Sequence, residues 1–376
     1  MSAWPGKYVI GLTGNIATGK SVVRKMLEHL GAYGIDADAL VHRAMAPDAP
    51  GYPAVIELFG KWVLAPDGQI DRTKLARLVF SDPDALARLE AIIHPLVKQA
   101  VDILIRRSRH KVVVIEAIKL LEAGMREPCD TLWVTYAPPE TQLVRLMKKR
   151  DMDEATAQLR IKTQPPQEQK VAAADVVIQN DGNFEDTWRQ VLAAWQTTVP
   201  GASEPYRAVK PEKGKLVVQR ARPSQAAEIA SLINHLSEGQ RRLSRDDIMA
   251  AFGEKAFLIL KMDEKPVGVV GWKVENLVAR TDNLYLENSV SFDSALVTLM
   301  DEVERNSREL QCEISLLFLP SAFSRHDATL HTLGYQRRTI QSLSMRAWQE
   351  AALESMPADS LMLFKQLRQD RVLRPV

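Results

Sequence analysis

With 376 residues the chain is long enough for two hydrophobic cores, and its 46 % hydrophobic and 26 % charged content excludes a disordered or fibrous protein. A net charge of +2 is too mild to imply a nucleic-acid partner. Cys129 and Cys312 stand far apart, which excludes a disulfide framework or a metal-binding cysteine pattern and suits a reducing cytoplasm.

Residues 7–12, KYVIGL, predict a buried strand, and residues 22–30 predict a helix. Between them residues 14–21, GNIATGKS, fit the phosphate-binding pattern G-x-x-x-x-G-K-[ST] in the strand-loop-helix setting it requires. In such a P-loop the main chain of Gly14, Asn15, Ile16, Ala17, Thr18 and Gly19 surrounds an anion and the helix N-terminus adds partial positive charge. Lys20 then reaches the terminal phosphates, and Ser21 offers its hydroxyl to magnesium. The first strand comes too early for a signal peptide, and no apolar run nears the roughly eighteen residues that span a bilayer. A soluble, cytoplasmic protein with no membrane partner is therefore expected.

Residues 34–38 predict a short second strand ending in Asp36 and Asp38, with a helix over 39–46. Two apart on a strand, both acids would face one side at the C-terminal edge of the sheet, where open α/β folds bind ligands. One acid there can accept a proton from an attacking hydroxyl while its neighbour holds magnesium through water; the alternative is a helix cap. Further strands are predicted at 112–115, 132–136 and 176–178, and Glu116, closing the third, is another candidate near the metal. Helices are predicted at 83–91, behind Ser81 and Asp82 as caps, and at 95–107, opening on Pro95. His94, just before that helix start, reads as either structural or catalytic. Short, unalternated β-branched strands between helices predict a doubly wound α/β domain with a parallel sheet.

Residues 139–149 and 153–163 predict two helices carrying Arg145, Lys148, Lys149, Arg150, Arg160 and Lys162. Such a run is either a solvated face or a lid that closes over a nucleotide and brings a guanidinium to the transferred phosphate.

The segments GLTGNIATGKS, IDADALVHRAM, IDRTKLARLVFSD, LEAIIHPLV, RIKTQ and ADVVIQNDG, in this order across residues 7–198, together resemble the dephospho-coenzyme A kinases. The resemblance implies ATP-dependent phosphorylation of the ribose 3′-hydroxyl of dephospho-coenzyme A, the last step of coenzyme A biosynthesis. It implies Asp38 as general base, Lys20 and Ser21 as phosphate and magnesium contacts, Arg145 as the lid arginine, and Asn180 and Gly182 as lining of the adenine pocket. The chain departs from the family pattern in two places. Asn15 and Ala17 stand where glycine is usual, so an intact cradle is expected to hold Ala17 at negative φ. Glu116 begins a segment, EAIKLLE, where the family has Asp and, two residues on, a Pro-Leu-Leu run.

Residues 200–215, PGASEPYRAVKPEKGK, predict a linker. The expected organisation is a kinase domain over 1–199, a linker over 200–214, and a second domain over 215–376 with a helix toward its C-terminus. That domain is predicted to hold a strand at 216–218, a helix at 223–236, a hairpin of 256–260 and 266–272, a helix at 293–310, a strand at 314–319, and a helix leading into Leu333-Gly334-Tyr335. This order is similar to the GCN5-related N-acetyltransferases (GNAT), an α+β fold, over about residues 215–345. The family's basic, glycine-rich pyrophosphate turn is missing: residues 286–293 read LENSVSFD, without glycine or arginine. The second domain is therefore expected not to be a competent acetyltransferase. The phosphate loop and lid fix the reaction better than the acceptor. The alternatives are a kinase of a nucleoside or other small alcohol, or a non-enzymatic nucleotide- or coenzyme-sensing module.

Overall fold

The apolar run ahead of the phosphate loop forms strand β1 (Tyr8–Thr13) in a computed structural model that describes residues 3–150, 152–201 and 214–369. These residues fall into two compact units. Residues 3–20 and 33–181 make the first; residues 21–32, 182–201 and 214–369 make the second.

In the first unit β1 is joined by β2 (Tyr33–Asp36), β3 (Val112–Glu116), β4 (Thr131–Tyr136) and β5 (Val176–Gln179) in a parallel sheet of order β2-β3-β1-β4-β5. Val9, Ile10, Leu12, Val113, Val114, Leu132 and Trp133 are almost wholly buried, as expected of strands covered on both faces. Helix α1 (Lys20–His29) leaves the loop at the end of β1, and only Lys20 of it belongs to this unit. The other helices of the unit are α2 (Ala37–Ala44), α3 (Gly51–Phe59), α4 (Arg72–Ser81), α5 (Pro83–Arg107), α6 (Pro139–Arg150), α7 (Glu154–Lys162) and α8 (Gln167–Ala172).

Three expectations change here. The strand expected over 34–38 ends at Asp36, because the Asp36 side chain accepts the Ala39 N–H and starts α2 there. Asp38 is therefore in the first turn of a helix and does not share a strand face with Asp36. The two helices expected at 83–91 and 95–107 are one, with Asp82 as its cap and Pro95 inside. Pro95 has no N–H to give to the preceding turn, yet the helix continues. A buried stripe of Ile93, Val97, Ala100, Val101 and Leu104 spans the proline and carries the helix across it.

In the second unit, α9 (Phe184–Thr198) is followed by β6 (Leu216–Arg220), α10 (Ala226–Leu236), α11 (Arg245–Phe252), β7 (Ala256–Met262), β8 (Lys265–Glu275) and β9 (Val278–Leu286). Then come α12 (Phe292–Glu309), β10 (Ile314–Pro320), α13 (Asp327–Thr332), β11 (Gln336–Arg337), α14 (Arg346–Ser355) and β12 (Ser360–Gln366). The seven strands run β11-β12-β10-β9-β8-β7-β6, antiparallel except for β9 and β10, which α12 joins as a parallel pair. The predicted hairpin is present, and Asp263 and Glu264 at its turn both have positive φ, the twist-matched geometry for two-residue loops. Alternation along β7 assigns the two faces. Ala256, Leu258 and Leu260 join α12 in one core, while Phe257 and Ile259 join α10 and α11 in another. The strands β9, β11 and β12 and the helix α11 were not predicted, and the helix expected toward the C-terminus is α14, with β12 after it. Of the expected linker, residues 202–213 lie outside the described residues. Within this unit the His29 ring of α1 lies edge-on to Trp188 of α9 and Phe252 of α11, and its Nε2 donates to the Phe252 carbonyl at 2.8 Å.

Candidate functional site

Close packing against the sheet shapes the phosphate loop. Gly14 has φ +148°, and a Cβ there would lie 2.4 Å from Thr135 Oγ1, so only glycine fits. Thr18 Oγ1 meets Thr135 Oγ1 at 2.7 Å and donates to the Asn15 carbonyl at 2.8 Å, which closes the loop on itself. Lys20, almost wholly buried, donates to the same carbonyl at 3.1 Å. Ala17 departs from expectation: its φ is +59°, not negative. The left-handed conformation costs alanine roughly 1–2 kcal/mol, and the surroundings hold it there. Arg145 Nη1 donates to the Ala17 carbonyl at 3.1 Å, and Ala17 packs beside Ile16, Leu146 and Ala157.

The lid helices α6 and α7 are thus fastened to the loop. Gln164 Oε1 accepts the Ile16 N–H at 2.8 Å, and Asn15 Nδ2 donates to the Pro165 carbonyl at 2.9 Å. Arg145 spans two elements, since its Nη2 also donates to the Asn180 carbonyl at 2.8 Å. Asn180 in turn donates from Nδ2 to the Thr18 carbonyl at 2.9 Å, and its N–H continues the sheet to Tyr136. Burial pushes the Arg145 guanidinium below its usual range while Asp181 pulls it back up. Lys148, Arg160 and Lys162 are exposed, as a solvated face would be; the side chains of Lys149 and Arg150 lie outside the described residues.

The acids meet at the C-terminal edge of the sheet. Asp36 and Glu116 are register partners on β2 and β3, and Glu116 is almost wholly buried. Asp36 gives one oxygen to its helix cap. Asp38 Oδ2 accepts the Ile118 N–H at 3.1 Å. Burial raises the Asp38 carboxyl above its ordinary range; Lys20 is the main charge opposing this, with the Ile118 N–H and Lys170 on the same side and Glu116 adding to the rise. Ile118 stands where the family pattern has proline, so this N–H is one a proline lacks. No set of three His, Cys, Asp or Glu side chains forms a metal cage among the described residues. Magnesium asks for less, one or two carboxylates beside the substrate's phosphates, and the donor type of Glu116 and Asp36 fits it.

The remaining predicted residues are placed as follows. Ser21 is the exposed second residue of α1, and Gly182 is exposed ahead of α9; both belong to the second unit. His94 is half-buried inside the continuous α5, so the helix start assumed for it is absent. Cys129 and Cys312 are free and buried, and burial pushes the Cys129 thiol up to about 12. Sequence reasoning passed over Thr135, Gln164 and Lys170. Gln164 lies within the RIKTQ segment, which marked its place but not its contact with Ile16.

A model of the family described as dephospho-CoA kinase matches residues 8–186. A dephospho-CoA kinase of Geobacter metallireducens is 44 % identical over 194 residues, which take in 51 % of this chain and 96 % of that one. Among solved structures, a Thermus thermophilus protein is similar at 33 % identity and a TM-score of 0.48, over 52 % of this chain and 99 % of its own. A GNAT-family acetyltransferase from Streptococcus pneumoniae is similar at 12 % identity and a TM-score of 0.32, over 40 % of this chain and 99 % of its own.

Proposed function

The chain belongs to the dephospho-CoA kinase family, and from that premise we propose how its residues divide the transfer of the γ-phosphoryl group from ATP to the ribose 3′-hydroxyl of dephospho-coenzyme A. The observation that carries the assignment is the placement of Asp38, half-buried at the start of α2, with its Oδ2 held by the Ile118 N–H at 3.1 Å and Lys20 of the phosphate loop acting on its charge. Asp38 takes the proton of the attacking hydroxyl, with the Ile118 N–H holding its Oδ2. Lys20 offsets negative charge on the transferring group, and the phosphates are held by loop N–H groups other than those of Ile16 and Thr18, which Gln164 Oε1 and the Asn15 carbonyl accept. Arg145, already braced across Ala17 and Asn180, closes the lid side. Asn180 lines the adenine pocket. Magnesium, when bound, neutralises charge on the phosphate oxygens, and Glu116 and Asp36 would hold it through water.

We also propose that the chain is organised as a kinase domain over 1–199, a linker over 200–214 and a GNAT-like domain over 215–376 that is not a competent acetyltransferase. The crossover from β9 through α12 to a parallel β10 supports that fold. The loop after β9 and the first turn of α12 offer acids where an acyl-coenzyme A pyrophosphate needs donors: Glu287 in the loop is paired with Lys265, and Asp293 in the helix is held by His326 and Thr329. A cytoplasmic location goes with this reading, in keeping with two free thiols. Among the described residues no helix is long and apolar enough to cross a membrane.

The test compares phosphoryl transfer to dephospho-coenzyme A and to a panel of nucleosides, in the native chain and in Asp38→Asn. Transfer to dephospho-coenzyme A should dominate, and Asp38→Asn should lower kcat by roughly 10² to 10⁴ with ATP binding little changed. Equal use of nucleosides would overturn the acceptor. Collapse of ATP binding at unchanged kcat would make Asp38 a nucleotide contact.

A further inference from the structure

Lys170 is a buried cation with no part in the roles assigned above. Its side chain on α8 is only 2 % exposed, and its Nζ donates to the Ile118 carbonyl at 2.6 Å, with Glu122 as an outer partner at 3.9 Å. Burying an ammonium is costly unless its hydrogen bonds are made, so a lysine kept here is held for what it touches. It touches the main chain of one residue. The Ile118 carbonyl takes a second bond, from Thr13 Oγ1 at the end of β1, at 3.1 Å. The N–H of the same residue ends on Asp38 Oδ2, and the N–H of Ala117 before it is tied to the Leu12 carbonyl at 3.1 Å. The segment after β3 is thus gripped by α8 and β1, and the Ile118 N–H is aimed at Asp38.

We propose that Lys170 is a positioning residue: with Thr13 it clamps the Ile118 main chain so that the Ile118 N–H holds Oδ2 of Asp38 and turns Oδ1 toward the acceptor hydroxyl. This rests on the reading of Asp38 as the base. In the step it serves, the hydroxyl proton passes to Oδ1. The freed oxygen bonds to the γ-phosphorus, and the bond from that phosphorus to the β,γ-bridging oxygen breaks, with its electron pair leaving on ADP. Lys170 gives up no proton and touches neither substrate. A base turned away from the hydroxyl loses rate and not binding, because misplacement of about 1 Å costs on the order of 100-fold.

The experiment measures kcat and both KM values for Lys170→Met, Lys170→Arg, Asp38→Asn and the double variant Lys170→Met/Asp38→Asn in the full chain. Thr13→Val serves as a second route to the same clamp should Lys170→Met fold poorly. Lys170→Met is expected to lower kcat roughly 10- to 100-fold with both KM values within about threefold. Lys170→Arg, which keeps a buried donor, should recover part of the loss. In the Asp38→Asn background Lys170→Met should cost almost nothing more, because the group it positions is gone. The same fold-loss in both backgrounds, or a change confined to KM, overturns the clamp while leaving the base reading intact. A kcat for Asp38→Asn near that of the native chain overturns the base reading and the clamp together.

Discussion

Gly19→Ala separates two effects that glycine substitutions usually confound, because the chain holds its own control. Gly19 has φ +92° and Gly31 has φ +100°, so alanine meets nearly the same backbone strain at each, roughly 1–2 kcal/mol. The reduced freedom of the unfolded chain offsets both by about 0.4–1 kcal/mol. At Gly31 a new Cβ meets nothing within 4 Å, whereas at Gly19 it would lie 1.8 Å from Asn180 Nδ2. Asn180 then has to move by well over an ångström and lose its bond to the Thr18 carbonyl, which costs a further 1–3 kcal/mol or so. Equilibrium urea unfolding should therefore show Gly19→Ala less stable than Gly31→Ala by about that amount. The kcat/KM for ATP should fall on the order of 100-fold in Gly19→Ala and hardly at all in Gly31→Ala. Adding Asn180→Ala to Gly19→Ala should restore part of the stability, a non-additive result that only a collision produces. Equal stability and equal activity of the two glycine variants would refute the packing described between the loop and Asn180.

Two other outcomes follow from single side chains. Arg145→Ala should lower kcat more than it weakens either substrate, and Arg145→Lys should recover only part, since one ammonium cannot reach both the Ala17 and the Asn180 carbonyls as the guanidinium fork does; steady-state kinetics with an unaltered kcat would return Arg145 to a solvated role. His29 is depressed from 6.5 to about 3 by burial, with Arg220 adding to the effect, so the unfolded chain takes up its proton near pH 6.5 and the folded chain only near pH 3. Stability is then full above pH 6.5 and falls as the pH is lowered toward 3, by up to about 1.4 kcal/mol per pH unit. His29→Gln, which can still donate to the Phe252 carbonyl, should flatten that slope in melts taken across the window. An unchanged slope would assign the acid lability to other groups.

Local patterns in the sequence determined the phosphate loop, the five strands of the first sheet and the lid helices. Each rests on residues within one element: GNIATGKS between a strand and a helix, unbroken apolar runs such as VVVI, and a pair of basic helices. Tertiary structure decided what depends on distant partners. Ala17 takes a left-handed φ where Arg145 donates to its carbonyl from 128 residues away. Asp38 meets its Ile118 N–H across 80 residues, and Ile118 meets Lys170 across 52. Helix α5 runs through Pro95 because packing along its buried face outweighs one missing hydrogen bond. The strands β9 and β12 went unread because VARTDNLYL and SLMLFKQ hold neither a regular apolar–polar alternation nor an unbroken β-branched run. A loop's capacity to bind phosphate is written in consecutive residues, but the aim of its base is set by hydrogen bonds whose two ends leave no joint trace in the sequence.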